Sequence, residues 1–234
     1  MAYHPMAKAT YIIFIVLKTI RIIRKIDFMQ MFKKAIGAAL MSLTLMLSAL
    51  NTQAQEKVNV GDMIPMMSYK MMDVSGEKFN LRELNKDQGL LVIFSCNTCP
   101  FVIQWEDRYN ELKDMCAAND IGMVLVNSNE AKRSGDDSFE KMQAKAEKEG
   151  YKMHYVVDEN HQLADAFGAA TTPHIFLFNT DAKLAYRGLI DDNGKDKSAV
   201  TQPYLKNAIS AMVAGEKINP EVTKSIGCSI KRTL

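Results

Sequence analysis

Leu90-Leu91-Val92-Ile93-Phe94-Ser95-Cys96-Asn97-Thr98-Cys99-Pro100 is the stretch on which the reading of this chain turns. Five consecutive apolar residues with no polar alternation predict a strand buried on both faces of a sheet. The pattern then changes period. Phe101, Val102, Trp105, Tyr109, Leu112 and Cys116 recur at spacings of three and four, which predicts a helix. The two cysteines therefore sit where a strand hands over to a helix. Unpaired N–H groups and the positive end of the helix dipole stabilise an anion there. A thiolate in that position has a lowered pKa and is a nucleophile at neutral pH. The two-residue spacing brings the sulfurs within bonding reach, so the pair can cycle between dithiol and disulfide. The expectation is that Cys96 attacks and Cys99 resolves, with Pro100 suited to the first helical turn. Structural zinc would need a second ligand pair at similar spacing, and the sequence has none.

The same alternation of periods runs on. Residues 121–126, 153–157 and 174–178 predict further strands, and 183–190 predicts a hairpin partner for the last of these. Residues 136–149, 161–167 and 202–214 predict helices, each followed by glycine. Residues 58–84 predict an N-terminal hairpin around Asp73-Val74-Ser75-Gly76. The result is an α/β chain of three layers, with a mixed central sheet flanked by helices. Thr172-Pro173 opens the 174–178 strand. A proline there predicts an edge or a cis turn, and facing the cysteines it would offer the Thr172 backbone to a substrate strand.

Ahead of this domain lies a leader. Lys33 and Lys34, an uncharged apolar stretch over 35–50, and small residues Thr52 and Ala54 predict a signal peptide over 31–54, with Gln55 as the new N-terminus. The apolar stretch is short for a membrane span, which needs ~20 residues; an uncleaved signal anchor is the alternative. No cysteine follows it, so a lipoprotein anchor is not expected. Residues 1–30 read as an over-read upstream of a start at Met31 or Met29, or as a basic N-terminal extension. The charge is divided accordingly. The chain of 234 residues carries +2 in all, yet residues 1–54 carry seven bases against the single acid Asp27. The remaining 180 residues therefore carry −4, which argues against a nucleic-acid partner. Export would place the chain in an oxidising compartment, periplasmic or otherwise exported, where disulfides persist. No stable membrane insertion is expected after cleavage.

The segments 94–102 (Phe-Ser-Cys-Asn-Thr-Cys-Pro-Phe-Val), 126–129 (Val-Asn-Ser-Asn), 137–142 (Asp-Ser-Phe-Glu-Lys-Met), 186–193 (Tyr-Arg-Gly-Leu-Ile-Asp-Asp-Asn) and 226–231 (Ile-Gly-Cys-Ser-Ile-Lys) occur in this order. Together they resemble the thioredoxin superfamily, and within it the peroxiredoxin-like branch related to the alkyl hydroperoxide reductase/thiol-specific antioxidant (redoxin) group. The resemblance implies a thioredoxin-like fold over 55–217 with a C-terminal tail over 218–234. It also implies a thiol–disulfide oxidoreductase working without a cofactor on Cys96 and Cys99, with Thr172 and Pro173 binding substrate. Partners would be exported proteins bearing disulfides or dithiols, and a membrane or periplasmic redox partner. True peroxiredoxins resemble one another in Pro-x-x-x-Thr-x-x-Cys. Counting back from Cys99 gives Val92 and Cys96 at the proline and threonine positions, and from Cys96 gives Gly89 and Ile93. Neither supplies the peroxide-activating threonine, so thiol peroxidase is the alternative reading. Thioredoxins carry tryptophan before the first cysteine, Gly-Pro between the two, and a buried aspartate six residues upstream. Here these are Ser95, Asn97-Thr98 and Leu90, which leaves Glu106 or water as the proton route.

Other residues carry competing expectations. His174 could lower a thiolate pKa as a cation, or complete a copper or zinc site with the two cysteines. His154 and His161 read as surface residues. Cys116 shares a helix face with Leu112 and reads as a core cysteine. Cys228 is a possible third redox thiol, a disulfide partner for Cys116, or a tail thiol with no exchange role. Met63, Met66, Met67, Met71 and Met72 read as core filler, with a cuprous site as the alternative.

Overall fold

In the computed structural model, residues 58–233 are described. The leader expectations, on residues 1–54, lie outside them. Strands β1 (Met71–Asp73) and β2 (Lys78–Phe79) are followed by helix α1 (Leu81–Leu84) and strand β3 (Leu90–Phe94). Next come α2 (Pro100–Trp105), α3 (Tyr109–Ala118), β4 (Gly122–Asn127), α4 (Phe139–Lys148), β5 (His154–Val157) and α5 (Gln162–Phe167). Strands β6 (Thr171–Thr172), β7 (His174–Phe178) and β8 (Leu184–Gly188), helix α6 (Tyr204–Ala214) and strand β9 (Cys228–Ser229) complete the domain. Seven strands form one sheet in the order β2-β1-β5-β4-β3-β7-β8. The β3–β4 and β4–β5 pairs are parallel, because a helical crossover separates each; β3–β7, β7–β8, β1–β5 and β1–β2 are antiparallel.

Every residue of β3 is buried, as its uninterrupted apolar run requires. Leu91 and Ile93 face α2, α3 and α6, meeting Trp105, Tyr109, Leu112 and Leu205. Leu90, Val92 and Phe94 face the other way, against α1 and α5. Phe94, Phe167 and Phe176 form edge-to-face pairs there at 5.2–5.7 Å between centroids. Each such side chain contributes about 1.5–3 kcal/mol on burial, so β3 is pinned from both layers and its C-terminal end has little freedom.

The N-terminal hairpin turns where Asp73-Val74-Ser75-Gly76 predicted. The Asp73 carboxylate accepts the N–H groups of Ser75 (3.0 Å) and Tyr155 (2.9 Å), and so ties the turn to β5. Helix α1 was not expected. A capping box starts it: Asn80 Oδ1 accepts Glu83 N–H and Glu83 Oε2 accepts Asn80 N–H, both at 3.0 Å.

Two further differences bear on the site. The helix predicted to run from Phe101 to Cys116 is interrupted by a 3-10 turn, Glu106–Arg108. There the buried Arg108 donates to the carbonyls of Gln104 and Asn193, both at 2.8 Å, and to Asp191 Oδ2 at 3.2 Å. Asp191 also accepts Trp105 Nε1–H at 2.6 Å. Secondly, the segment after Lys217 is knitted into the domain. Ile218 and Ile230 are buried, Thr223 Oγ1 accepts Leu189 N–H at 2.8 Å, and Arg232 reaches Asp165 Oδ1 at 2.7 Å. No helix among the described residues is long and apolar enough to cross a membrane.

Removing Asp191 would leave the buried Arg108 guanidinium with the exposed Asp107 as its carboxylate partner and Trp105 Nε1–H without its acceptor, a change that costs about 1–3 kcal/mol. Asp191→Ala should lower the urea midpoint accordingly; an unchanged midpoint would show that the pair does not hold α2 in place.

Candidate active site

β3 delivers the chain to the mouth of the sheet and five residues separate it from α2, which places Cys99 as the N-cap of α2 with Pro100 at its first helical position. Thr172-Pro173 is a cis peptide and leads into β7, whose His174 pairs in register with Phe94 at the end of β3. The two cysteines therefore meet Thr172. Cys96 Sγ lies 3.4 Å from Thr172 Oγ1, and Cys99 Sγ–H donates to the Thr172 carbonyl at 3.2 Å. Both sulfurs are reduced and nearly enclosed, Cys96 being 3% and Cys99 6% exposed.

A polar shell fixes the loop between them. Asn97 N–H donates to Asp137 Oδ1 at 2.8 Å, Asn97 Nδ2 donates to the Asp136 carbonyl at 2.9 Å, and Tyr155 OH donates to Asn97 Oδ1 at 2.9 Å. Asp137 also accepts from Asn127 Nδ2 (2.8 Å) and Asn129 Nδ2 (2.9 Å). This carboxylate is 1% exposed and holds one loop against two others, as a buried acceptor with several donors should.

The surroundings act unequally on the two thiols. Cys99 is pulled down, to about 4, chiefly by its hydrogen bond with Cys96, with further help from Cys228, the Val102 N–H and Thr172. Cys96 is pushed up by the same bond with Cys99, by burial and by the negative charge of Asp137. The Thr172 carbonyl works against a Cys99 thiolate, since it accepts the thiol proton. Burial opposes the thiolate too, while the hydrogen bonds with Cys96 and Cys228 and the Val102 N–H act the other way, and the N-cap position favours the anion as well. The surroundings thus favour ionisation at Cys99 and oppose it at Cys96.

Several expectations change here. His174 is buried, its ring packs on Phe176 at 4.5 Å, and its Nδ1 accepts Ala170 N–H at 3.5 Å. That contact places it on the Phe176 face of the sheet, and it is not among the main influences on either thiol. No group of three or more His, Cys, Asp or Glu among the described residues is placed to hold a metal. Glu106 is occupied by Lys145, at 2.7 Å, so the carboxylate that acts on Cys96 is Asp137, which the sequence reading passed over. Its only signal was the run Asn127, Asn129 and Asp137, polar residues in segments that adjoin buried strands. The edge of Thr172 is filled by the chain itself: Thr172 pairs with Cys228 and Thr171 with Ser229 in the two-stranded β6–β9 ladder. Cys228 packs with Cys96, Cys99 and Val102, whereas Cys116 is fully buried in the α3 core, its thiol pushed up to about 12 by burial. The methionines divide. Met71 is in the core, and Met63 and Met66 are exposed.

A strand–helix junction bearing two cysteines, opposite a cis-proline strand in a mixed α/β sheet, defines a thioredoxin-like redox protein. The Redoxin family model matches residues 59–203, and the chain belongs to that family. An uncharacterized conserved protein from Geobacillus kaustophilus is 31% identical, with a TM-score of 0.70 over 76% of this chain and 94% of that one. A hypothetical protein from Sinorhizobium meliloti is 30% identical, with a TM-score of 0.69 over 76% of this chain and 97% of that one. The Mycobacterium tuberculosis peroxidoxin BcpB shares the fold at 16% identity, with a TM-score of 0.52 over 67% and 97%. No curated protein matches the chain.

Two outcomes check this geometry. At about pH 6, below the ordinary thiol pKa, iodoacetamide should alkylate Cys99 before the other cysteines of the reduced protein. Its rate should fall as the pH drops through about 4, where the thiolate is protonated. Prior modification of Cys96 would reverse the assignment. Asp137→Ala leaves three buried donors unpaired, each costing about 1–3 kcal/mol, so its urea midpoint should drop by several kcal/mol in stability; a drop under about 1 kcal/mol would mean that water replaces the carboxylate.

Proposed function

We propose that the protein is an exported thiol–disulfide oxidoreductase in which Cys99 is the attacking thiolate and Cys96 the resolving thiol. The observation that carries this is the paired contact of both sulfurs with Thr172 at the head of α2, where the hydrogen bond with Cys96 pulls the Cys99 thiol pKa down. Thr172 positions the two sulfurs through its hydroxyl and its carbonyl. The Cys99 thiolate would attack one sulfur of a substrate disulfide, forming a mixed disulfide and releasing the first substrate thiolate. Cys96 would then attack the Cys99 sulfur, release the second substrate thiolate and close the Cys96–Cys99 disulfide. The substrate gains two electrons and the chain loses two; with the pair oxidised, the same steps run in reverse. A raised pKa on Cys96 suits a thiol that ionises only after the mixed disulfide forms, because the negative charge on Cys99 has by then gone.

The partners this reading implies are exported proteins with disulfides or dithiols, and a periplasmic or membrane redox protein that resets the pair. The apolar stretch at 35–50 and the small residues Thr52 and Ala54 support export. Peroxide reduction is the weaker reading, since Cys96 stands where a peroxidase would hold its activating threonine.

The test is reduction of a model disulfide protein such as insulin with dithiothreitol as electron source. Cys99→Ser should lose at least about 100-fold in rate, the scale on which removal of a covalent nucleophile acts. Full activity in that variant would sink the assignment. N-terminal sequencing of secreted protein should read from Gln55; a retained Met1 would remove the cleavage reading.

A further inference from the structure

The sequence of the segment that bears Cys228 predicts a tail, yet the segment lies on the site. Ile230 N–H donates to the Ala170 carbonyl at 3.0 Å, and β9 runs antiparallel to β6 with Cys228 opposite Thr172. Gly227 is required for this approach, because a Cβ at that position would overlap the Thr172 carbonyl. Beyond β9 the segment is fastened at three points: Lys231 N–H donates to Asn129 Oδ1 at 2.8 Å, Arg232 pairs with Asp165, and Ile230 is buried in the core layer that holds Phe94. The ladder brings Cys228 to the residue whose carbonyl already touches Cys99, and the Cys228 side chain packs into the Cys96, Cys99 and Val102 cluster. It is the most exposed of the three thiols. Burial offers no reason for a cysteine here, and Cys116 lies in a separate core.

We propose that Cys228 is a third redox-active cysteine, an internal partner that forms a disulfide with Cys99, carried by β9 in the position a substrate strand would take. The inference deepens the oxidoreductase reading above and rests on it. In chemical terms, a disulfide R–S–S–R meets the Cys99 thiolate, which forms Cys99–S–S–R and expels RS⁻. The Cys228 thiolate, its proton taken by the departing RS⁻, attacks the Cys99 sulfur. A Cys99–Cys228 bond forms, the bond to R breaks and a second RS⁻ leaves, to be protonated by water. Two chain thiols are oxidised and one external disulfide is reduced. Cys96 can then displace Cys228 from Cys99, which returns the Cys228 thiol and completes the Cys96–Cys99 disulfide. Cys99 is thereby the hub of a relay with one thiol on either side.

The experiment removes Cys96 from the competition. Reduced Cys96→Ser protein is treated with oxidised glutathione, quenched in acid, alkylated and mapped by peptide mass. The expected result is a Cys99–Cys228 disulfide with glutathione lost from most chains, and retention of the Cys99–glutathione adduct in Cys96→Ser/Cys228→Ser. A Cys96→Ala version repeats the readout should serine disturb the packing. A persistent adduct at Cys99 with Cys228 alkylated, while the wild type still closes Cys96–Cys99, would overturn the relay alone. A wild type that closes no disulfide at Cys99 at all would overturn the oxidoreductase reading together with it.

Discussion

Thr172 touches both cysteine sulfurs, one through its hydroxyl and one through its carbonyl, and the rest of the domain works to keep that contact in place. The contact needs the end of β3 and the start of β7 side by side, which their antiparallel register supplies, Phe94 opposite His174. It needs Cys99 at the N-cap of α2, which Pro100 at the first helical position favours. It also needs both strands immobile, and the aromatic cluster of Phe94, Phe167 and Phe176 beneath them provides that. Because sulfurs exchange only in line and at bonding distance, small displacements of either strand would weaken the chemistry before they weakened the fold.

Around this contact the polar groups are arranged so that charge falls unequally on two nearly identical side chains. Asp137 acts against a second anion at Cys96, and the helix N–H and neighbouring thiols favour one at Cys99. Placing a carboxylate in the interior is costly unless donors surround it, and Asn97, Asn127 and Asn129 do so. Those same bonds clamp the residues between the cysteines. One buried acid thus sets both the shape of the loop and the order in which the thiols ionise.

Much of this was legible in the sequence, for identifiable reasons. The apolar run Leu90–Phe94 could only be a central strand, and the change of period after Pro100 could only be a helix. The turn at Asp73–Gly76 followed from its residue types. What escaped were features set by contacts distant in sequence. The break at Glu106–Arg108 depends on Asp191 and Asn193, more than eighty residues away. Asp137 reaches the cysteine loop across forty residues. The segment after Lys217 read as a tail because Thr223, Cys228 and Arg232 show no periodicity, yet each is fixed by a partner elsewhere in the chain. The ranking of Cys96 over Cys99 rests on position along the chain, whereas the groups that act on each thiol, Asp137 and the Val102 N–H among them, come together only in three dimensions.

The central proposal is that Cys99 ionises before Cys96. A titration of the reduced protein that follows thiolate absorbance in the far ultraviolet tests it most directly. One thiolate should appear as the pH rises through about 4, and Cys99→Ser should abolish that step. A reduced protein with no thiolate until the ordinary range near 8.5, or an acid step that survives in Cys99→Ser and disappears in Cys96→Ser, would contradict the account.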